Sequence, residues 1–206
     1  IGELARYFNS VYYIHADLTV VPLSGWKRDE YRLELAMNWV APSPNIPKVD
    51  TALVYPGTCF LEGTNLSEGR GTTQPFETVG APFIDGDKLA KVLNSLRLTG
   101  VRFRPTSFIP TFSKYSGKNC QGVQLHVLDR KVFQPVRTGL TLIQTVAGMY
   151  EEFQFLSPSK GKHFFFDLLA GTDEVRKTIT AGQSLESLFA KWEREQLEFR
   201  EQSKDY

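Results

Sequence analysis

What the sequence is short of sets the first limits. Two cysteines in 206 residues, Cys59 and Cys120, are too few for a disulfide-built scaffold; they read either as one disulfide or as two buried thiols. The three histidines, His15, His126 and His163, are scattered with no pair at metal-ligand spacing, so a zinc centre has no ligand set, and neither metal nor cofactor is expected. No apolar run approaches the length of a membrane span, and no signal-type segment stands at the front. An excess of one charge is also lacking. Twenty-four Lys and Arg against 23 Asp and Glu leave a formal charge of +1, which provides no global field to gather nucleic acid or an anionic membrane surface. An acidic ligand must therefore be held by a local group.

Several motifs are missing in the same way. No G-x-S-x-G elbow occurs, which leaves a serine hydrolase unsupported. Gly63 and Gly69 have five residues between them and are followed by Arg70 in place of a lysine, so they do not form a phosphate-binding loop. Gly69-Arg70-Gly71-Thr72-Thr73-Gln74 lacks the third glycine of the dinucleotide fingerprint. There is no internal repeat and no low-complexity tract. Asn65-Leu66-Ser67 fits a glycosylation sequon, but its neighbours suggest a site rather than a modified surface.

What is present is the composition of an ordinary folded protein, 41% hydrophobic and 13% aromatic, read as one compact unit over residues 1–206. The chain opens at Ile1 on a helix already in progress, with Leu4, Ala5 and Phe8 on one face, so it reads as a fragment. Asp17–Leu23 has the β-branched content of a short buried strand. Pro42, Pro44 and Pro47 forbid helix and central strand between Trp39 and Pro47. Leu89, Val92, Leu93 and Leu96 recur at helical spacing behind Asp85 or Asp87 as the cap. Val101 and Phe103 alternate with Arg102 and Arg104, and Val123, Leu125 and Val127 alternate with Gln124 and His126, the pattern of two strands with one wet face each. Pro135 opens a helix carried by Val136, Leu140, Ile143, Ala147 and Tyr150. Ser157–Gly161 reads as an exposed loop, and Ser184 as the cap of a last helix through Phe199. The order lacks a βαβ rhythm and predicts an α+β fold, a mixed sheet with flanking helices and a helical C-terminal tail.

The most informative stretch is Cys59–Thr73. It combines two carboxylates, Glu62 and Glu68, with Arg70 and with Asn65, Ser67 and Thr72, on a backbone loosened by Gly63, Gly69 and Gly71. Carboxylates transfer protons or hold hydroxyls, a guanidinium offers a planar fork for a carboxylate, and hydroxyl and amide side chains suit a sugar. The alternative is structural, with the carboxylates and Arg70 pairing to one another and the glycines making turns. Arg102 and Arg104 read as solvated strand residues, His126 as a sheet histidine, and Trp26 and Trp39 as either core residues or sugar-stacking rings.

Several strings taken together resemble the NamZ family of exo-acting β-N-acetylmuramidases over the whole chain. They are Gly2-Glu3-Leu4-Ala5 with Phe8-Asn9, Gly25-Trp26-Lys27-Arg28, Trp39-Val40-Ala41-Pro42-Ser43-Pro44-Asn45, Tyr55-Pro56-Gly57-Thr58-Cys59 and Leu61-Glu62-Gly63-Thr64-Asn65 through Arg70-Gly71-Thr72. Pro75-Phe76, Gly80-Ala81-Pro82-Phe83-Ile84-Asp85, Phe103-Arg104-Pro105 and Cys120-Gln121-Gly122-Val123 continue the likeness. The resemblance implies removal of N-acetylmuramic acid from the non-reducing end of peptidoglycan fragments. It also implies a Rossmann-like N-terminal half whose glycine, proline, glutamate, histidine string, with the glutamate usually regarded as catalytic, is not found here. The chain therefore reads as the C-terminal half, with its own N-terminal domain as partner and with no hydrolase activity expected of it in isolation.

Within that resemblance Glu62 and Glu68 are the candidate catalytic carboxylates. Asn45, Asn65, Ser67, Arg70 and Thr72 are the candidate substrate contacts, Arg70 for the lactyl carboxylate of muramic acid. A non-catalytic module that binds peptidoglycan fragments is the competing reading. The substrate makes export to the periplasm or the medium the expected location in a bacterium, with cytoplasmic recycling as the alternative.

Overall fold

A computed structural model describes residues 1–25, 27, 30, 31, 38–158 and 163–206. Trp26 and Arg28, and residues 159–161 of the expected Ser157–Gly161 loop, lie outside the described residues. Where the sequence suggested one compact unit, the chain divides into two, Ile1–Trp39 with Glu186–Tyr206, and Val40–Leu185.

The first unit contains helix α1, Gly2–Val11, and helix α7, Glu186–Ser203, which opens two residues after Ser184. Tyr7 is the buried residue of α1; its ring meets Phe199 and Tyr206 edge-on, each at 5.3 Å, the geometry that the ring quadrupole favours. Both polar atoms of the Asn9 side chain grip Ala16, donating to its carbonyl at 3.1 Å and accepting from its N–H at 2.8 Å. The strand expected over Asp17–Leu23 does not form. β-Branched residues favour an extended chain but need a partner edge, and the described residues of this unit hold no other strand.

The second unit carries the sheet. Strand β1 (Thr78–Ala81), strand β2 (Val101–Phe108) and strand β3 (Cys120–Val127) pair in the order β1-β3-β2. Both pairings are antiparallel, so the α+β class holds while the described sheet is not mixed. β2 lies at the edge, which is why it tolerates Pro105. Val101, Phe103, Val123, Leu125, Val79 and Ala81 are buried. Helix α3, Gly86–Ser95, packs on β2 and β3; its cap is Asp85, accepting from the Lys88 N–H at 3.0 Å.

Helix α4, Pro135–Met149, starts on its proline as the sequence predicts. It crosses helix α2, Val49–Thr58, at two glycines: a Cβ on Gly139 would lie 2.1 Å from the Gly57 carbonyl oxygen, and one on Gly57 would lie 1.8 Å from the Pro135 oxygen. Two short helices, α5 (Phe165–Ala170) and α6 (Glu174–Thr180), complete the unit. Arg176 of α6 holds Asp167 of α5 through Nε at 2.8 Å and Nη2 at 2.7 Å.

The α2–α4 contact makes a direct prediction. Gly139→Ala should cost about 1–3 kcal/mol or more, because the added methyl meets backbone that cannot rotate away. Gly148→Ala, on the same helix with open space around it, should gain about 0.5–1 kcal/mol. Chemical denaturation of both variants checks the pair, and equal effects would contradict the crossing.

Candidate functional site

The loop after α2 is built by its neighbours. α2 ends two residues after Pro56 and tightens into a 3-10 turn, Cys59–Gly63, which lifts Glu62 to a half-buried position. Two isolated bridges then stitch the chain down, Thr64 to Phe155 and Ser67 to Gly80. Gly69 and Gly71 take left-handed φ values of 74° and 81°, which glycine supplies without strain, and the chain turns back toward β1. A Cβ on Gly69 would meet the Thr78 carbonyl oxygen at 2.5 Å, so that glycine serves internal packing.

The charged side chains form one connected series. Lys114 Nζ, from the β2–β3 connection, lies 3.0 Å from Glu68 Oε2, and Glu68 Oε1 lies 3.2 Å from Arg70 Nε. Arg70 Nη2 donates to Glu62 Oε2 at 2.9 Å. The Arg70 guanidinium also rests 5.2 Å from the centre of the Phe76 ring, and Tyr55 meets that ring edge-on at 4.8 Å. Exposure differs along the series: the Glu68 side chain is 3% exposed, against 22% for Lys114, 30% for Arg70 and 21% for Glu62. Arg70 Nε is buried and forms no hydrogen bond despite its ion pair.

Burial and charge set the proton affinities around Glu62. The Tyr55 hydroxyl is pushed up by burial and then by the Glu62 and Cys59 charges, with Arg70 opposing. The Cys59 thiol is pushed up by burial and then by Glu62. Burial lowers Lys114, and the Glu68 carboxylate opposes that shift. Cys59 and Cys120 are separate free thiols. Among the described residues no group of three His, Cys, Asp or Glu is placed to hold a metal ion, and no helix is long and apolar enough to cross a membrane.

The structure sorts the sequence candidates. Glu62 and Arg70 come together at the surface. Glu68, expected beside Glu62 as a second catalytic carboxylate, does not join them there: it is enclosed between two cations, Lys114 and Arg70. Removing one partner of such a pair costs about 3–5 kcal/mol, so its place is in holding the loop. Asn65 donates to the Glu152 carbonyl at 2.7 Å and accepts from the Gln154 N–H at 2.9 Å; both ends of its amide are used inside the fold. Ser67 is buried, and its hydroxyl oxygen accepts from the Gly69 N–H at 3.2 Å. Thr72 donates to the Gly69 carbonyl at 2.6 Å. Asn45 sits in a turn over residues 43–46, its N–H donating to Ser43 Oγ at 3.2 Å, and takes no part in the charged series. Sequence reasoning missed Lys114 and Tyr55. Tyr55 lies in a string that carries the family likeness, a signal that was available, whereas nothing around Lys114 in sequence marks it.

Comparison with known proteins gives the family of the chain. The family described as "Exo-beta-N-acetylmuramidase NamZ, C-terminal" matches residues 53–206, and its N-terminal counterpart matches residues 1–50. The chain belongs to the NamZ family. Because residues 1–50 fall in the N-terminal region, it carries part of that module and is not the C-terminal half alone. It is 48% identical to the peptidoglycan beta-N-acetylmuramidase NamZ of Bacillus subtilis (strain 168), over the whole of this chain and 49% of that protein. Two solved DUF1343 family structures from Bacteroides fragilis NCTC 9343 also match the whole chain, one at 30% identity with a TM-score of 0.88 and one at 29% with 0.68. Each is covered over 54% of its length. The chain thus spans about half the length of these relatives.

The proximity of Glu62 to Cys59 can be read without any substrate. Glu62→Gln removes a charge that raises the Cys59 thiol, so more thiolate is present at mildly alkaline pH and alkylation should speed up. Cys120, held up to about 11 by burial, should stay unmodified while the protein is folded. Mass spectrometry after timed iodoacetamide treatment checks both, and an unchanged Cys59 rate would separate it from Glu62.

Proposed function

We propose that this chain is part of a glycoside hydrolase that releases N-acetylmuramic acid from the non-reducing ends of peptidoglycan fragments. In this reading it contributes a substrate-binding wall to the active-site cleft. The identity of nearly half its residues with the Bacillus subtilis muramidase supports that substrate class. The observation that carries the site assignment is the Glu62–Arg70 pair, partly exposed beside the enclosed Glu68 carboxylate.

N-acetylmuramic acid differs from N-acetylglucosamine by a lactyl carboxylate, and an arginine fork is its natural partner. Arg70 takes this carboxylate by exchanging its Nη2 contact with Glu62, and Glu62 is then available to accept from a sugar hydroxyl or the acetamido N–H. Glycoside hydrolysis generally uses two carboxyl groups flanking the reacting carbon. With Glu68 enclosed, the loop offers only Glu62, so the acid–base chemistry falls to the N-terminal half, where the family resemblance places its glutamate. That enclosure also favours the second reading, a module that presents peptidoglycan fragments without taking part in chemistry. Wall fragments are met outside the inner membrane, so an exported location in a bacterium accompanies either reading.

Two substitutions in the complete two-module protein test this. Arg70→Ala should weaken the muramic acid ligand by about 1.5–3 kcal/mol, the value of a charge-assisted hydrogen bond, and leave N-acetylglucosamine almost unchanged; equal losses would remove the assignment. For Glu62→Gln, turnover of a chromogenic muramic acid glycoside lost with KM kept would mean chemistry, and a loss carried by KM would mean presentation. The presentation outcome is the expected one.

A further inference from the structure

We propose that Lys114 is the positioning residue of this site: it pins both ends of the turn that presents Glu62 and, through Glu68, fixes where the Arg70 guanidinium can sit. The inference rests on the reading of Arg70 and Glu62 as the sugar-contacting pair. An ammonium has three N–H donors, and three oxygens surround Lys114 Nζ: the Leu61 carbonyl at 2.8 Å, the Leu66 carbonyl at 2.9 Å and Glu68 Oε2 at 3.0 Å. Leu61 directly precedes Glu62, and Leu66 lies two residues before Glu68. One side chain therefore ties the start of the turn, its end and the carboxylate that faces Arg70.

The way Lys114 is delivered supports the assignment. Its neighbours Ser113 and Tyr115 both take left-handed φ values, 70° and 58°, a conformation that side-chain-bearing residues rarely adopt and that persists only where the surroundings enforce it. They are enforced here. The Thr111 N–H and hydroxyl both donate to the Gly71 carbonyl, at 2.9 and 3.0 Å. Ser116 Oγ donates to the Thr111 carbonyl at 3.0 Å, and the Gly117 N–H donates to Pro110 at 2.8 Å. The same tip thus grips the residue after Arg70 while it drives Lys114 inward beneath Arg70's other partner. A connection that served only to link β2 and β3 would need neither contact.

The test uses the complete two-module protein, the 4-nitrophenyl glycoside of N-acetylmuramic acid as probe, and thermal unfolding of each variant. Lys114→Met leaves Glu68 buried with one cation fewer and should unfold at a lower temperature. The double variant Lys114→Met with Glu68→Gln removes the stranded charge and should regain most of that stability while KM stays raised by about tenfold or more, the scale of one charge-assisted contact. Lys114→Arg keeps the charge, but a planar fork cannot set three donors around one nitrogen, so its KM should lie between the two. A wild-type KM in the double variant or in Lys114→Arg, with KM raised in Arg70→Ala, would overturn the inference and leave Lys114 purely structural. An Arg70→Ala variant with unchanged KM would instead remove the reading of the site, and this inference with it.

Discussion

A carboxylate removed from water governs this site. Glu68 sits at 2% exposure, and an ionised group so placed is tolerable only if opposite charge and hydrogen bonds surround it. Lys114 and Arg70 supply the charge, and in doing so they are drawn from a strand connection and a glycine turn into one place. The order of the series then decides chemistry. At Glu68, a buried carboxylate is neutralised by two cations and holds the loop; at Glu62 and Arg70, both partly exposed, the series remains within reach of a ligand. The same loop composition with Glu68 at the surface would have left Arg70 free to swing, and a guanidinium that swings discriminates poorly between sugars.

How much of this was legible follows from where each partner lies along the chain. α3, α4, β2 and β3 could be read because their apolar periods are strong and their starts carry local chemistry, Asp85 as a cap and Pro135 at the first helical position. α2 could not, because Pro56-Gly57 reads as a breaker. In the fold the helix runs through both residues to Thr58, and Gly57 is the point at which α4 crosses. The missing strand at Asp17–Leu23 and the unforeseen β1 make the opposite pair: β-branched residues alone do not make a strand, and four buried residues containing Gly80 show no alternation to detect.

The site divides in the same way. The loop was visible from its composition, and so was the carboxylate–guanidinium pair. What stayed hidden was that Asn65, Ser67, Thr72 and Glu68 are spent on the fold itself, since the partners of Asn65 and Glu68 lie 87 and 46 residues away. Polar residues clustered in a loop advertise hydrogen bonding; only the three-dimensional arrangement says whether the bonds are made inward. The division of the chain is similar. Residues 1–50 match the N-terminal region of the family, yet helix α7, from the far end of the sequence, belongs to the same compact unit as α1, a pairing that no local pattern announces.

The most direct measurement is a crystal structure of the complete two-module protein soaked with N-acetylmuramic acid. The account predicts the lactyl carboxylate within hydrogen-bond distance of the Arg70 guanidinium, Glu62 turned to the sugar, and the Lys114–Glu68 contact unchanged. A sugar bound elsewhere, with the Arg70–Glu62 pair intact and out of its reach, would contradict it.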